Sequence, residues 1–238
     1  MKVEKISELT IDRLSIYLRC LELLSKEGVE TISSQDLATR FNLNSAQIRK
    51  DLTQFGEFGV RGVGYAVVKL RDCLRAILGL EVSHNIGIIG AGNMGIALAD
   101  YEGFTGSNFK AVALFDNDQE KIGRKTKLGI EIYDVKNLKD IIKEKFIDII
   151  VLAVPASVIQ LVLDQVVAAG IKGVLSFAPV QLQVPEDVTV KIVDLTISFH
   201  SLSHALINSG IRPNNRGVKA DEEEKNLVVI CKEQERSS

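Results

Sequence analysis

Residues 85–95 read Asn85-Ile86-Gly87-Ile88-Ile89-Gly90-Ala91-Gly92-Asn93-Met94-Gly95. The first five are an apolar run of strand type, and the glycines after them recur at intervals of two and three. Each of those glycines sits where a side chain would obstruct something. Gly90 permits a tight turn, Gly92 lets the backbone approach a pyrophosphate, and Gly95 lets the following helix pack closely on the strand. The N-terminus of that helix adds unbonded N–H groups and a partial positive charge. The stretch Gly90, Ala91, Gly92, Asn93, Met94, Gly95 is therefore spelled as a dinucleotide-binding loop. Its position is unusual. In a plain nucleotide-dependent enzyme the first strand lies near the N-terminus, whereas here more than eighty residues precede it.

Downstream, short apolar runs at 111–116, 148–153, 173–177 and 190–194, with a further candidate at 129–133, alternate with stretches of about ten residues suited to helices. This predicts a Rossmann-type doubly wound parallel sheet over residues 81–211. Asp116 closes the second strand, where a carboxylate accepts hydrogen bonds from adenosine ribose hydroxyls and repels a 2′-phosphate. Asn117 and Asp118 follow with no basic residue at once, which favours NAD(H) over NADP(H); S-adenosylmethionine or another adenosine ligand is the alternative. Val154 and Pro155, and Ala178 and Pro179, follow later strands on the same carboxyl edge. They would line a nicotinamide pocket or simply form turns.

The preceding module, residues 1–80, has helical rather than strand periodicity. Thr10 is placed to cap a helix over 11–24, with Leu14, Leu18 and Leu21 facing inward. A short helix follows at 33–41, and Asn44 or Ser45 caps a third over 46–55, buried through Ile48, Leu52 and Phe55. The opposite face of that third helix carries Gln47, Arg49, Lys50, Thr53 and Gln54. Two short helices joined by a tight turn, the second basic and amide-rich outside, describe a helix-turn-helix. Arg and Lys reach phosphates or guanine edges, and Gln pairs with adenine. Residues 57–68 then alternate apolar with small or polar types around a glycine cluster, a hairpin signature. A hairpin directly after such a helix makes a winged helix, with Arg61 and Gly62 at the wing, able to enter a minor groove. A closing helix is expected over 69–79.

Charge agrees with this reading. Between Arg40 and Arg75, seven basic residues face three acidic ones, a local +4 in a chain of net −2. A confined basic segment in an acidic protein fits one polyanion-binding face. With 46% apolar and 25% charged residues the chain is expected to bury a substantial core. Its longest apolar stretch, 146–155, is interrupted by Asp148, so no membrane association is expected. Cys20, Cys73 and Cys231 are odd in number and scattered, as expected of unpaired thiols in a reducing cytoplasm. His200 and His204 have i, i+4 spacing but no Glu or Cys partner at a matching offset, so no metal site is expected. The polar tail, 212–238, is expected to be a mobile extension.

A competing class is an NAD-dependent dehydrogenase with an accessory N-terminal domain. Such an enzyme needs an acid–base group beside the ring. His84 lies away from the cofactor edge, and no second domain is large enough to hold a substrate, so no catalytic residue is assigned.

Taken together, the motifs closely resemble the family of redox-sensing transcriptional repressors called Rex. The resemblance rests on residues 10–14, on Ser45-Ala46-Gln47-Ile48-Arg49-Lys50-Asp51-Leu52, and on the string Phe55-Gly56-Glu57-Phe58-Gly59-Val60-Arg61-Gly62-Val63-Gly64-Tyr65. It also rests on the glycine loop, Asp116 and Val193-Asp194-Leu195. It implies a homodimeric bacterial repressor that binds pseudo-palindromic operator DNA when NADH is scarce and lets go when NADH binds. NADH and NAD+ would then be regulatory ligands. It further implies a C-terminal helix, 196–209, exchanged between subunits, and a ligand-responsive polar network of Arg13, Tyr101 and Asp194. The family often has proline after that tyrosine, whereas this chain has Glu102, so a different local turn is expected.

Overall fold

A computed structural model describes residues 6–60, 62–104 and 107–209. Arg61, Cys231 and the tail beyond residue 209 lie outside the described residues. The break between two compact units falls between Lys191 and Ile192.

The first unit opens with helix α1 (Glu8–Lys26), capped by Ser7, whose Oγ accepts from the Thr10 N–H. The expected cap, Thr10, instead lies inside the first turn, where its hydroxyl accepts from Arg13 Nη2 at 3.2 Å. Strand β1 (Thr31–Ile32), α2 (Ser34–Phe41), α3 (Ser45–Thr53), β2 (Gly59–Val60), β3 (Gly64–Ala66) and α4 (Val67–Ile77) follow. Ser33 caps α2, Asn42 ends it in the left-handed conformation, and Asn44 caps α3. The hairpin is shorter than its sequence pattern, because Val67 already begins α4. Its inner strand pairs on the other side with β1, so the small sheet runs β1-β3-β2. Leu14, Leu18 and Leu21 of α1 pack with Ile48, Leu52, Leu70 and Leu74 in one core. This is a winged helix-turn-helix.

The second layer begins at β4 (His84–Ile89) and continues through α5 (Asn93–Ala99), β5 (Phe109–Asp116), β6 (Ile132–Asp134), α6 (Leu138–Glu144), β7 (Ile147–Leu152), α7 (Ile159–Ala168), β8 (Gly173–Ser176) and β9 (Thr189–Ile192). The sheet order is β6-β5-β4-β7-β8-β9. The pairs β4–β5, β4–β7, β5–β6 and β7–β8 are parallel. Alternate residues of the central strands enter two different cores. Ala113, Phe115, Ile150 and Leu152 meet α6 and α7 on one face. Ile86, Ile88, Leu114 and Val151 meet Ala99 of α5 on the other. Helices on both faces of a parallel sheet make the doubly wound architecture. Its strand order reverses beside β4, which places the glycine loop at the switch point.

Little slack separates the two layers. The Arg75 guanidinium donates to Glu22 Oε1 of α1, to the Leu80 carbonyl and to Asn108 Oδ1 at the mouth of β5. Asn108 in turn donates to the Val82 carbonyl and accepts, through its own carbonyl, from His84 N–H.

The second unit contains α8 (Leu195–Asn208), capped by Asp194. Ile197, Phe199, Leu202, Leu206 and Ile207, the apolar residues expected to line it, are all exposed in the single chain. No helix among the described residues is long and apolar enough to cross a membrane.

Candidate dinucleotide site and nucleic-acid interface

The glycine loop leaves β4 and enters α5 as its spacing requires. Gly90 has φ +106°, and a Cβ there would stand 2.5 Å from the Ala153 carbonyl oxygen. A Cβ at Gly95 would stand 1.8 Å from the Gly90 carbonyl oxygen, so the helix crosses the loop with no room for a methyl. Gly92, by contrast, faces open space and caps α5 without a side chain. Ala91 is buried, while Asn93 and Met94 are exposed. The first-turn N–H groups of α5 thus have access to an incoming anion.

Asp116 ends β5 and holds this loop directly. Its Oδ2 accepts from the Ala91 N–H at 2.8 Å, and its Oδ1 accepts from the Asp118 N–H at 2.9 Å. Lys121 Nζ lies 3.3 Å from Oδ2. Burial pushes this carboxyl up, but the bonds from Asp118, Ala91 and Lys121 outweigh burial and hold it below the usual range. No basic residue follows Asp116 at once, but Lys121, five residues on, reaches it. The turn through Asp118 brings Lys121 back onto the carboxylate, which only the folded loop reveals. A cavity of about 500 Å³ opens alongside, lined by Ala91, Gly92, Asn93 and Ile96 and by the cations Lys121, Arg124, Lys125 and Lys127.

Of the residues expected at the nicotinamide end, Val154 and Pro155 follow β7, and Ala178 and Pro179 follow β8. All four lie on the carboxyl edge. Val154 is half-buried beside Gly90, Ala178 is buried in the core, and both prolines are exposed. Among the described residues no group of three or more His, Cys, Asp or Glu could hold a metal.

On the winged helix, Arg49, Lys50 and Gln54 are exposed on the outer side of α3, Ser45 is half-buried at its start, and Gly62 is exposed in the wing at φ +82°. Arg49 Nη1 donates to Ser34 Oγ at 2.9 Å. Gln47 departs from expectation. Its amide donates to Asp51 Oδ1 at 2.8 Å, so it braces the helix rather than presenting a free face. Asp51 is fully buried, a setting that a charge tolerates only when paired. Arg13 donates to both of its oxygens, at 2.6 and 2.7 Å, and Tyr17 Oη donates at 2.9 Å. Burial raises Asp51, yet these bonds from Arg13, Gln47 and Tyr17 hold it below the usual carboxylate range. Burial and Asp51 together push the Tyr17 phenol well up.

Each of the three residues expected in one network has partners of its own. Arg13 serves Asp51, Asp194 accepts from Thr196 N–H and Oγ1, and Tyr101 packs edge-on against Phe104 at 5.2 Å. Glu102–Phe104 is a short 3₁₀ segment, and the Tyr101 ring lies over Gly103, where a Cβ would stand 2.3 Å from it. Sequence reasoning missed Asp51 as an anchor, although a lone acid beside Arg49 and Lys50 was the available signal.

The family described as "Putative DNA-binding protein N-terminus" matches residues 5–53, and the one described as "CoA binding domain" matches residues 82–180. A winged helix with exposed cations, joined in one chain to a dinucleotide-type sheet, defines a ligand-responsive transcription regulator. The redox-sensing transcriptional repressor Rex of Carboxydothermus hydrogenoformans is 47% identical over 203 residues, 85% of this chain and 97% of the relative. That of Syntrophomonas wolfei subsp. wolfei is 48% identical over 206 residues, 87% and 98% of the two chains. The chain belongs to the Rex family of redox-sensing transcriptional repressors. The crystal structure of RSP in complex with β-NAD+ and operator DNA is 39% identical with a TM-score of 0.80, over 87% of this chain and 94% of that one. RSP in complex with β-NADH gives 37% and 0.78, over 87% and 97%. These relatives are regulators, so the dehydrogenase reading falls away.

Proposed function

We propose that this chain binds operator DNA as a homodimer in the cytoplasm and that NADH releases it. In this reading residues 1–80 bind DNA and residues 81–211 bind the dinucleotide. The observation that carries it is one compact unit holding both an α3 face with exposed Arg49 and Lys50 and an open glycine loop braced by Asp116. RSP, alike over the same span, is described with operator DNA alongside β-NAD+ and separately with β-NADH. Ser45, Arg49, Lys50, Gln54, Arg61 and Gly62 are the proposed DNA contacts, with Gln47 bracing α3. Arg13, Tyr101 and Asp194 are proposed to exchange partners when the ligand binds. The exposed apolar side of α8 supports its exchange with a second copy.

The physical basis of sensing is charge. NAD+ carries a positive nicotinamide ring that NADH lacks, and an apolar ring pocket disfavours the cation. An arrangement of subunits that closes this pocket is then stabilised by NADH. The same arrangement would take two recognition helices away from the spacing of successive major grooves, about 34 Å. By linkage DNA must weaken NADH binding by the same factor, typically about 1–3 kcal/mol. Titrating a protein–DNA complex with NADH and then with NAD+ tests this. Equal DNA affinity with and without saturating NADH would end the proposal.

A further inference from the structure

Between the start of α2, the outer side of α3 and the wing lies a basin of about 690 Å³. Ser34, Arg49, Gly59 and Tyr65 are among its lining residues, and Glu57 is the only acid among the described ones. Tyr65 is only 9% exposed. Its ring lies against Gly59, where a Cβ would stand 3.0 Å from it. Its hydroxyl nevertheless has no hydrogen-bond partner among the described residues, where no closed-off side-chain polar atom is left unpaired. Tyr65 is thus a basin-lining residue whose hydroxyl is left to bond a ligand. Burial pushes this phenol up, against the pull of the Arg49 charge, so it is a donor at neutral pH. Arg49 spends one nitrogen on Ser34 Oγ and makes no ion pair among the described residues. Ser34 opens α2, an eight-residue helix in which Ser33 Oγ satisfies only the Asp36 N–H.

A phenol, a guanidinium and a helix start thus converge on one basin with donors and few acceptors. We propose that the basin holds one phosphodiester group of the DNA backbone, with the Tyr65 hydroxyl, the Arg49 guanidinium and Ser34 as its donors. This rests on the DNA-binding reading and adds a fixed anchor to it. Such an anchor sets the register of α3 and carries no sequence information of its own.

The test uses the full chain and a duplex that the chain itself selects from a random-sequence pool. Tyr65→Phe keeps the ring and removes only the oxygen. Its affinity should fall about tenfold, as expected for one hydrogen bond to a charged acceptor. The loss should be equal on selected and scrambled duplexes, and the salt slope should stay unchanged because no charge is removed. Arg49→Ala should lower that slope by about one. Duplexes carrying one neutral methylphosphonate in each half-site, at symmetry-related positions stepped together, should include a position that weakens the wild type by removing this anchor from both protomers. There Tyr65→Phe should have no further effect. Wild-type affinity for Tyr65→Phe overturns the proposal, as does a loss confined to the selected sequence or one persisting at every methylphosphonate position. If Tyr65→Phe fails to fold, Ser34→Ala takes its place in the same cycle with the same outcomes. If the pool yields no bound duplex, the DNA-binding reading falls together with the anchor.

Discussion

Arg13 and Asp51 meet side-on across two helices, with Nε on Oδ2 and Nη2 on Oδ1, and so lock α3 to α1. Breaking one side of a buried pair leaves the other without compensation. Asp51→Ala should therefore cost about 3 kcal/mol, the low end for such pairs because the Arg13 side chain is 31% exposed and rehydrates. Equilibrium urea unfolding checks this. The same carboxylate sets a pH dependence. Burial raises it, but its three donors hold it below its unfolded value, near 3.9. A depressed carboxylate adds stability above the unfolded pKa, and that contribution is lost as the pH falls through the lower folded value. The urea midpoint of the wild type should drop steeply below about pH 4, and Asp51→Asn should show a shallower drop. Parallel curves would refute the assignment.

Gly92 and Gly95 should separate folding from ligand binding. A methyl at Gly92 meets nothing within 4 Å, so Gly92→Ala should melt like the wild type and bind DNA, yet lose the NADH response. At Gly95 the methyl would overlap the Gly90 carbonyl, and overpacking of this kind costs about 1–3 kcal/mol or more. Thermal melts and NADH titration distinguish the two. A Gly95→Ala protein as stable as Gly92→Ala would contradict the packing argument.

Asp116→Asn removes a charged ribose acceptor and at the same time leaves Lys121 with Asp118, at 3.4 Å, as its one carboxylate partner among the described residues. NADH affinity should fall about tenfold. NADPH should gain, because an ammonium relieved of the Asp116 charge attracts a 2′-phosphate that the carboxylate repels. Calorimetric titration with both nucleotides reads the ratio, which must shift towards NADPH for the Asp116–Lys121 pairing to matter.

Lys50 projects from α3 into solvent. Lys50→Ala should reduce the slope of log affinity against log salt by about 0.9 and leave NADH affinity unchanged. Fluorescence anisotropy at several salt concentrations measures the slope.

The strands, the glycine loop and the order of helices and wing were legible because each is a local pattern. Alternate burial, φ > 0 at glycine and capping side chains are properties of neighbouring residues. What escaped depends on which of several nearby partners the folded geometry selects. Gln47 reads as solvent-facing until α1, thirty residues earlier in the chain, brings Arg13 and Tyr17 onto Asp51. Lys121 reads as remote from Asp116 until the intervening turn folds back. Ser7 and Thr10 compete for the same cap, with hydroxyls 2.9 Å apart, and only the geometry of the first turn selects Ser7. The two-residue β1 is too short to leave any periodicity at all.

Arg75 grips three segments with one planar group: the first helix, the connection at Leu80 and the entrance to β5. A joint held on three sides acts as a rivet and not as a swivel. A torque applied where the nucleotide sits has little chance to dissipate in the short connection between Leu80 and His84. In the proposed switch it would reach the DNA-reading helix as a displacement of the whole body, like the turning of a key whose bow and bit are cast in one piece.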